Sequence, residues 1–302
     1  MISLVISFAL SVALLPLLSI IAKKLNIVDT PDGKLKTHSR AIPYLGGVAI
    51  YVAVIFFVKE WYLFVVMTLI FLIGLIDDIK QIPWYVRFVA ECLLGLLISQ
   101  IFSANLFQML FYTVLFVITV NAVNMIDGMD GICASVVIAG LIFVNKSSLE
   151  WALIGALIGY LGFNFPPAKV FMGDAGSYLI GCIVAYEIFL GMENSVDLKA
   201  FLPFWVIFID ILSGIVRRLA ARVSPFLGDR DHIYDKVYRR VHGSETAKKR
   251  KTLFFVVMIS FCFSIMKYFY SLFLVLLASI VVVLSLGMFV YDNRGGTTHG
   301  KD

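Results

Sequence analysis

Residues 107–131 read FQMLFYTVLFVITVNAVNMIDGMDG, an apolar run that ends in two amides and two carboxylates. About twenty apolar residues cross the hydrocarbon core of a bilayer, so the run predicts a transmembrane helix with polar groups at one end. If the helix continues, Asn121 and Asn124 lie three residues apart on one face. Asp127 and Asp130 then repeat that spacing one turn later. The sequence therefore predicts a polar cluster at a membrane surface.

Two interpretations of this cluster remain open. Carboxylates at a membrane surface suit a hard cation such as Mg²⁺, which takes oxygen ligands and usually keeps phosphate oxygens in its shell. Asn and Asp are also common caps of helix ends, where they have a structural role only. The stretch alone favours neither interpretation.

The composition indicates an integral membrane protein. Apolar residues make up 61% of the 302 positions and charged residues 15%, with a mean hydropathy of +0.95. Soluble proteins have roughly half apolar and a quarter charged residues. We expect one helical membrane domain over residues 1–302 and no nucleic-acid partner. The four cysteines lie scattered in apolar runs, so neither a disulfide framework nor a thiolate metal site is expected.

Hydropathy and charge together predict the topology. The fold class is an all-α polytopic bundle of about eleven spans, at residues 2–22, 44–58, 61–76, 85–101, 107–123, 132–144, 151–163, 178–191, 201–219, 253–266 and 271–290. No basic residue precedes the first span and Lys23 and Lys24 follow it, which favours a retained span with its amino end outside. The carboxyl end is then cytoplasmic. Nearly all Lys and Arg then fall on the inside, the exceptions being Lys59, Lys146, Lys199 and Lys267.

Two further polar clusters lie at predicted cytoplasmic span ends. Asp77 and Asp78 follow an apolar run and precede Arg87. The segment 164–177, NFPPAKVFMGDAGS, contains Lys169 and then Asp174 within Gly-Asp-x-Gly-Ser at a helix start. Such a start can expose backbone N–H groups to an anion while the carboxylate holds a cation on the same phosphate. Solvated flanking charges and a helix N-cap are the structural alternatives.

The remaining inside loops are basic. Lys36 and His38 in the first loop can clamp a substrate phosphate, although membrane orientation explains these cations equally well. Arg230 and His232 in the longest loop can contact a diphosphate or a sugar. Acids inside spans are costly and mark functional or paired sites. They are Glu91, Glu187 and Asp210; Asp210 can pair with basic groups at the cytoplasmic end.

The three acidic motifs in this order, together with PDGKLKTHSRAIPYLGG and SPFLGDRDHIYD, resemble the polyprenyl-phosphate N-acetylhexosamine-1-phosphate transferases. The likeness runs from Asp29 to about Tyr238. The span number and the loop resemble the N-acetylglucosamine branch more than the muramoyl-pentapeptide branch. The N-acetylglucosamine branch usually has His-Ile-His-His, where this chain has His232-Ile233-Tyr234-Asp235.

The resemblance implies a multi-pass enzyme of the plasma membrane with a cytoplasmic active site. It transfers a sugar 1-phosphate from a UDP-N-acetylhexosamine, with N-acetylglucosamine expected, to a polyprenyl phosphate and releases UMP. Mg²⁺ is the expected cofactor and Mn²⁺ the alternative. The resemblance leaves the oligomeric state open, and a homodimer is one of the alternatives.

Roles for the individual residues follow from this interpretation. The catalytic residues are Asp77, Asp78, Asp127 and Asp174, of which Asp174, Asp78 and Asp127 are the expected metal ligands. The expected substrate-binding residues are Lys36, His38, Arg87, Asn121, Asn124, Lys169, Arg230 and His232. Two alternatives are another UDP-N-acetylhexosamine as donor and a covalent phospho-aspartyl route. A proton-coupled transporter is the alternative from another class, but its acids should concentrate inside the spans.

Overall fold

A computed structural model describes residues 1–30, 41–103, 105–192, 197–224, 230–269 and 271–288. Within these ranges the chain forms twelve α-helices and one short ribbon. The helices are α1 (Ile2–Lys24), α2 (Gly46–Val54), α3 (Trp61–Lys80), α4 (Trp84–Ser99), α5 (Leu106–Ile126), α6 (Ile132–Leu141), α7 (Ser148–Asn164), α8 (Gly173–Gly191), α9 (Trp205–Ala220), α10 (Ile233–Arg240), α11 (Glu245–Ile265) and α12 (Leu272–Ser285). Strands β1 (Val28–Asp29) and β2 (Ile42–Pro43) pair antiparallel, with Val28 opposite Pro43.

The helices are those of a multi-pass membrane protein. Five helical stretches are long and apolar enough to cross a bilayer: Ile2–Lys24, Trp61–Lys80, Leu106–Ile126, Gly173–Gly191 and Leu198–Ala220. Large apolar side chains such as Phe107 and Phe56 stand exposed on the outer surface, which suits contact with lipid rather than water. Each of the eleven predicted spans overlaps a helix. The number of crossings, their orientation and the single-domain organisation stay predictions.

Helix α8 lies at the centre of the bundle. It packs against α2, α3 and α5, and every residue from Ala175 to Phe189 is buried. Its contact with α3 is close because residue 74 of α3 is glycine. A Cβ atom on Gly74 would lie 2.5 Å from the carbonyl oxygen of Asp174. The end of α3 that carries acidic residues is thus held against the start of α8.

The residues just before α8 are fixed by the segment around β2. The N–H groups of Gly46 and Gly47 donate to the carbonyl oxygens of Phe171 and Met172 at 3.0 and 2.9 Å. The N–H of Phe171 donates to the carbonyl oxygen of Pro43 at 2.9 Å. Buried backbone polar groups need such partners, so these bonds define the path of the chain into α8.

Two local features differ from the sequence-based expectation. Helix α5 ends at Ile126, three residues beyond the predicted end of the span at residue 123, so Asp127 and Asp130 do not continue its face. The chain turns there, and Gly131 takes the left-handed backbone conformation with φ of 76°. Helix α10 was not predicted, because eight amphipathic residues are too few to produce a membrane-spanning hydropathy signal.

Candidate active site

Three helix ends that are distant in sequence meet at one end of the bundle. Asp78 lies near the end of α3, Asn124 near the end of α5, and Asp174 in the first turn of α8. The amide of Asn124 donates to Oδ1 of Asp174 at 2.7 Å. Oδ1 of Asp78 accepts the backbone N–H of Asp174 at 2.8 Å. The fold therefore brings one residue from each of the three predicted acidic motifs into direct contact.

The carboxylate of Asp78 caps helix α8 from a neighbouring helix. Besides the Asp174 N–H, its Oδ2 accepts the N–H of Ala175 at 3.0 Å. These first-turn N–H groups have no partner inside their own helix, and a negative charge beside them also favours the helix dipole. The expectation that they face a substrate anion was therefore wrong, because Asp78 occupies them.

Gly173 makes this cap possible. Its φ is 71°, in the left-handed region that favours glycine. A Cβ atom there would lie 2.4 Å from Oδ2 and 2.7 Å from Oδ1 of Asp78. Both the backbone conformation and the available space therefore require glycine at position 173.

The neighbouring Asp77 has a full set of partners. Its Oδ2 accepts from Nη1 of Arg87 at 2.7 Å and from the hydroxyl of Tyr178 at 3.2 Å. Its Oδ1 accepts the N–H of Ile82 at 2.8 Å. The Asp77 side chain is 4% exposed, whereas that of Arg87 is 30% exposed. The pair thus balances the buried charge of Asp77 while part of the guanidinium group stays accessible.

Helix α5 fixes the orientation of Asp174. The Nδ2 group of Asn124 also donates to the Oγ of Ser177, at 2.9 Å, one turn further along α8. One amide therefore bridges the carboxylate and the hydroxyl, which immobilises both. The carboxyl group of Asp174 also lies close to that of Asp77.

Asp127 has the least compensated carboxylate of the site. It follows the end of α5 and is half-buried, and its side chain makes no hydrogen bond or ion pair with the described part of the chain. Burial, followed by the charges of Asp174 and Asp78, raises the pKa of Asp127 well above its usual value of 3.8. A carboxylate in such surroundings is stabilised by a bound cation.

Asp130, by contrast, joins three parts of the structure. Its Oδ2 lies 3.0 Å from Nζ of Lys249 on α11 and accepts the N–H of Ala168 at 3.0 Å. Asn164 adds a second connection, because its side chain accepts the N–H of Gly131 and donates to the carbonyl oxygen of Val170. These contacts hold the 127–131 turn against segment 164–170.

His232 lies at the start of α10, near the end of α5. Its Nδ1 is 2.7 Å from Oδ2 of Asp210 on α9. Tyr234, two residues on, donates a hydrogen bond from its hydroxyl to the carbonyl oxygen of Met125 at 3.4 Å. Burial raises the pKa of that tyrosine well above its usual range. Helix α10 therefore connects α9 to the end of α5.

The structure places the other predicted residues as follows. Asn121 donates to Glu91 on α4 and does not join the aspartate cluster, because α5 packs between α4 and α8. Lys169 is exposed and Arg230 half-buried beside the start of α10. Lys36 and His38 lie outside the described residues. Tyr178 and Lys249 were missed, since a tyrosine in an apolar run and a lysine in a basic run give no distinguishing signal.

A metal ion fits this site only in part. Within the described ranges, no three or more His, Cys, Asp or Glu side chains are arranged to hold one. Both oxygens of Asp78 already accept N–H groups. Mg²⁺, however, is commonly bound by one or two carboxylates and completes its shell with substrate phosphates and water. Asp174 and Asp127 are the side chains that suit this arrangement.

Comparisons with known proteins identify the family. The model of glycosyl transferase family 4 matches residues 60–192, which include all three acidic motifs. An undecaprenyl-phosphate alpha-N-acetylglucosaminyl 1-phosphate transferase of Thermotoga maritima is 31% identical over 89% of this chain and 90% of its own length. A probable transferase of this kind from Bacillus subtilis is 28% identical over 88% and 84%. That of Escherichia coli K12 is 29% identical over 75% and 73%.

The glycosyl transferase match covers the contacts that join α3, α5 and α8, and the relatives extend the likeness over most of the chain. The protein is therefore a membrane-bound phosphoglycosyl transferase, and it belongs to the polyprenyl-phosphate N-acetylhexosamine-1-phosphate transferase family.

Proposed function

We propose that this enzyme transfers N-acetylglucosamine 1-phosphate from UDP-N-acetylglucosamine to undecaprenyl phosphate, at the cytoplasmic face of the plasma membrane. The observation that carries the proposal is the contact of Asn124 with Asp174 beside the Asp78 cap. The names of the relatives supply the sugar and the lipid. The basic residues near the site, Lys80, Arg87 and Lys249, support the cytoplasmic placement.

The proposed reaction is a displacement at phosphorus. An oxygen of the lipid phosphate bonds to the β-phosphorus of the donor, and the bond from that phosphorus to the bridging oxygen breaks. UMP leaves with the electron pair. The second pKa of a phosphate monoester is near 6, so the lipid phosphate is largely a dianion at neutral pH. A strong general base is therefore unnecessary.

The side chains of the site position the two substrates. Arg87, held by Asp77, presents its exposed part to the lipid phosphate. Asp174, fixed by Asn124, and the uncompensated Asp127 are the proposed Mg²⁺ ligands, while Asp78 maintains the start of α8. Mg²⁺ supplies neutralisation of the diphosphate charge, which is the main requirement of phosphoryl transfer. We expect His232 and Arg230 to face the diphosphate or the sugar.

The test is UMP release by the purified protein. Undecaprenyl phosphate, Mg²⁺ and a panel of UDP-sugars are supplied, and UDP-N-acetylglucosamine is expected to give the highest rate. Release from a different UDP-N-acetylhexosamine alone would correct the sugar, and no release from any would refute the proposal. Chelation by EDTA should abolish release, and added Mg²⁺ should restore it.

The Asp174→Asn variant tests the metal assignment separately. It retains an oxygen toward Asn124 but loses the charge, so we expect a folded protein with UMP release reduced about 100-fold or more. Asp197→Asn is the matched control. Asp197 accepts the N–H of Lys199 beyond the other end of α8, a task that asparagine also performs. A wild-type rate in Asp174→Asn would reject the assignment.

A further inference from the structure

An open groove lies between the segment that follows α10 and the first turns of α11. Its volume is about 570 Å³. Lys249 of α11 pairs with Asp130, so the groove lies at the end of the bundle that carries the aspartates. The described residues that line it include basic and aromatic side chains but no acid: Val241, His242, Arg250, Lys251, Phe254 and Phe255. The groove can therefore accommodate an anion that carries an apolar chain.

The basic and aromatic residues are arranged in register along α11. Arg250 precedes Phe254 by four residues, and residues at this spacing are neighbours on a helix surface. Lys251 precedes Phe255 by the same interval. The helix is charged before Thr252 and apolar after it, so each cation lies one turn nearer the membrane surface than its phenylalanine. The two phenylalanines are 61% and 48% exposed, which suits contact with acyl chains.

Both cations are fixed by the protein and still exposed. Nζ of Lys251 donates to the carbonyl oxygen of His242 at 2.8 Å. Nε of Arg250 donates to the carbonyl oxygen of Pro166 at 3.0 Å, and its guanidinium group lies over the ring of Phe165, 5.4 Å from the centroid. These bonds use one of three ammonium N–H groups and one of five guanidinium N–H groups, which leaves donors for phosphate oxygens. Fixing the side chains in advance also lowers the entropic cost of binding.

The groove and the aspartate cluster use different faces of α11. Nζ of Lys249 lies 3.0 Å from Oδ2 of Asp130, on the turn after α5. Lys251 follows two residues later, a rotation of about 200° around the helix. Neither Asp127 nor Asp174 lines the groove. A ligand on the exposed phenylalanines is thus reached from the surrounding bilayer, and phospholipid is the bulk component there.

We propose that this groove binds an anionic phospholipid, with the headgroup phosphate on Arg250 and Lys251 and the acyl chains on Phe254 and Phe255. Charge complementarity selects this occupant, because basic pockets at the level of the headgroups attract anionic lipids over neutral ones. The proposal goes beyond the transfer reaction and does not depend on it.

The test measures lipid binding to the full-length protein in a neutral detergent. Phosphatidylglycerol or phosphatidylcholine is titrated in, and native mass spectrometry gives the affinity for the first bound lipid. Wild type should bind phosphatidylglycerol more tightly. Lys251→Gln should weaken that binding about fivefold, the effect of one cation at a membrane surface. Lys251→Arg, which keeps the charge, should restore it.

Lys248→Gln is the matched control. It removes the same charge from the same basic run, but Lys248 does not line the groove, and its Nζ lies over the ring of Tyr238 at 4.1 Å. It should therefore bind phosphatidylglycerol like wild type. All three variants should unfold at the wild-type temperature in detergent without added lipid.

A second measurement locates the lipid. Phosphatidylglycerol with a photoreactive group in its acyl chain should label the segment that contains Phe254 and Phe255 more than the corresponding phosphatidylcholine does. Equal labelling by the two lipids refutes the site, and this comparison in wild type is decisive even if Lys251→Gln does not fold. Equal weakening in Lys248→Gln and Lys251→Gln would mean that only the overall charge of the run attracts lipid, and the proposal would be wrong.

The polyprenyl phosphate is the other lipid anion that the test must distinguish. Undecaprenyl phosphate is titrated in the same way. If it binds wild type more tightly than phosphatidylglycerol and loses the same affinity in Lys251→Gln, the occupant is the acceptor lipid and the phospholipid proposal is refuted. Weaker binding of undecaprenyl phosphate, or binding that Lys251→Gln leaves unchanged, supports the phospholipid. None of these measurements requires UMP release, so their outcome is independent of the proposed function.

Discussion

Replacement of Gly173 by alanine should disable the enzyme by displacing Asp78. A non-glycine residue in the left-handed conformation costs about 1–2 kcal/mol. The new Cβ would lie 2.4 Å from Oδ2 of Asp78, and ordinary contact begins at 3.4 Å, so the carboxylate must retreat by about 1 Å. Its bonds to the N–H groups of Asp174 and Ala175, now 2.8 and 3.0 Å, would be lost.

Each hydrogen bond to a charged acceptor contributes about 1.5–3 kcal/mol. If half of the contribution of the two bonds is recovered elsewhere, about 1.5–3 kcal/mol is lost, and with the backbone cost the total for the assembled site is about 2.5–5 kcal/mol. At 1.36 kcal/mol per tenfold change, kcat/KM should fall by about 70-fold or more. The assay is UMP release at subsaturating donor concentration, with thermal unfolding in detergent as the measure of overall stability.

Gly162→Ala is the matched control, because a Cβ atom there meets nothing within 4 Å. It should retain wild-type activity and unfold at the same or a higher temperature, since alanine favours a helix over glycine. In an Asp78→Ala background, Gly173→Ala should add only the backbone cost. An unchanged kcat/KM in the single variant, or a full additional loss in the Asp78→Ala background, would refute the reasoning.

Two more predictions concern the turn after α5. Asp127→Asn should raise the unfolding temperature of the substrate-free protein, since it removes a charge that its neighbours repel. The same variant should lower UMP release. If neither the unfolding temperature nor the rate changes, the assignment of Asp127 as a metal ligand is refuted. Lys249→Met should destabilise the protein by about 2 kcal/mol, because it leaves the buried Asp130 without a counter-charge. Lys251→Met should have little effect, since Nζ of Lys251 donates to the carbonyl oxygen of His242 at an exposed position. Equal losses of stability in the two variants would refute the argument.

Much of the bundle follows from hydropathy alone. Each predicted span overlaps a helix because uninterrupted apolar runs of this length have few other stable conformations in a bilayer. The clusters around Asp78, Asn124 and Asp174 stood out because polar groups at span ends are costly unless they have partners or a function. Charge and spacing identified these residues in the sequence. Which residues they contact could be seen only in the folded structure.

The tertiary partners could not be read from the sequence. Nothing near Asp78 indicates that it caps a helix that starts about a hundred residues later, and nothing near Asp130 indicates its pairing with Lys249. Asn121 and Asn124 have the same spacing signal but contact different neighbouring helices, α4 and α8. Such pairings depend on which helices are adjacent, and one sequence carries no direct record of that.

The balance of charge around the site gives an independent reason to place a cation at Asp127. Most of the neighbouring aspartates have a specific compensating group within the described part of the chain. These pairs are Asp77 with Arg87, Asp78 with the first turn of α8, Asp130 with Lys249, and Asp231 with Arg217, Lys236 and Arg239. Asp174 has the neutral amide of Asn124, and the side chain of Asp127 has no such partner among the residues that the structure describes.

Burying a carboxylate without a counter-charge is costly, so the uncompensated charge is concentrated at these two residues. Under the proposed function, Asp127 and Asp174 would hold a divalent ion bound to the donor diphosphate, and its charge would remove that cost. The site would then be stabilised by its own substrate complex, which explains why the substitution that should make the empty protein more stable, Asp127→Asn, should also make it less active.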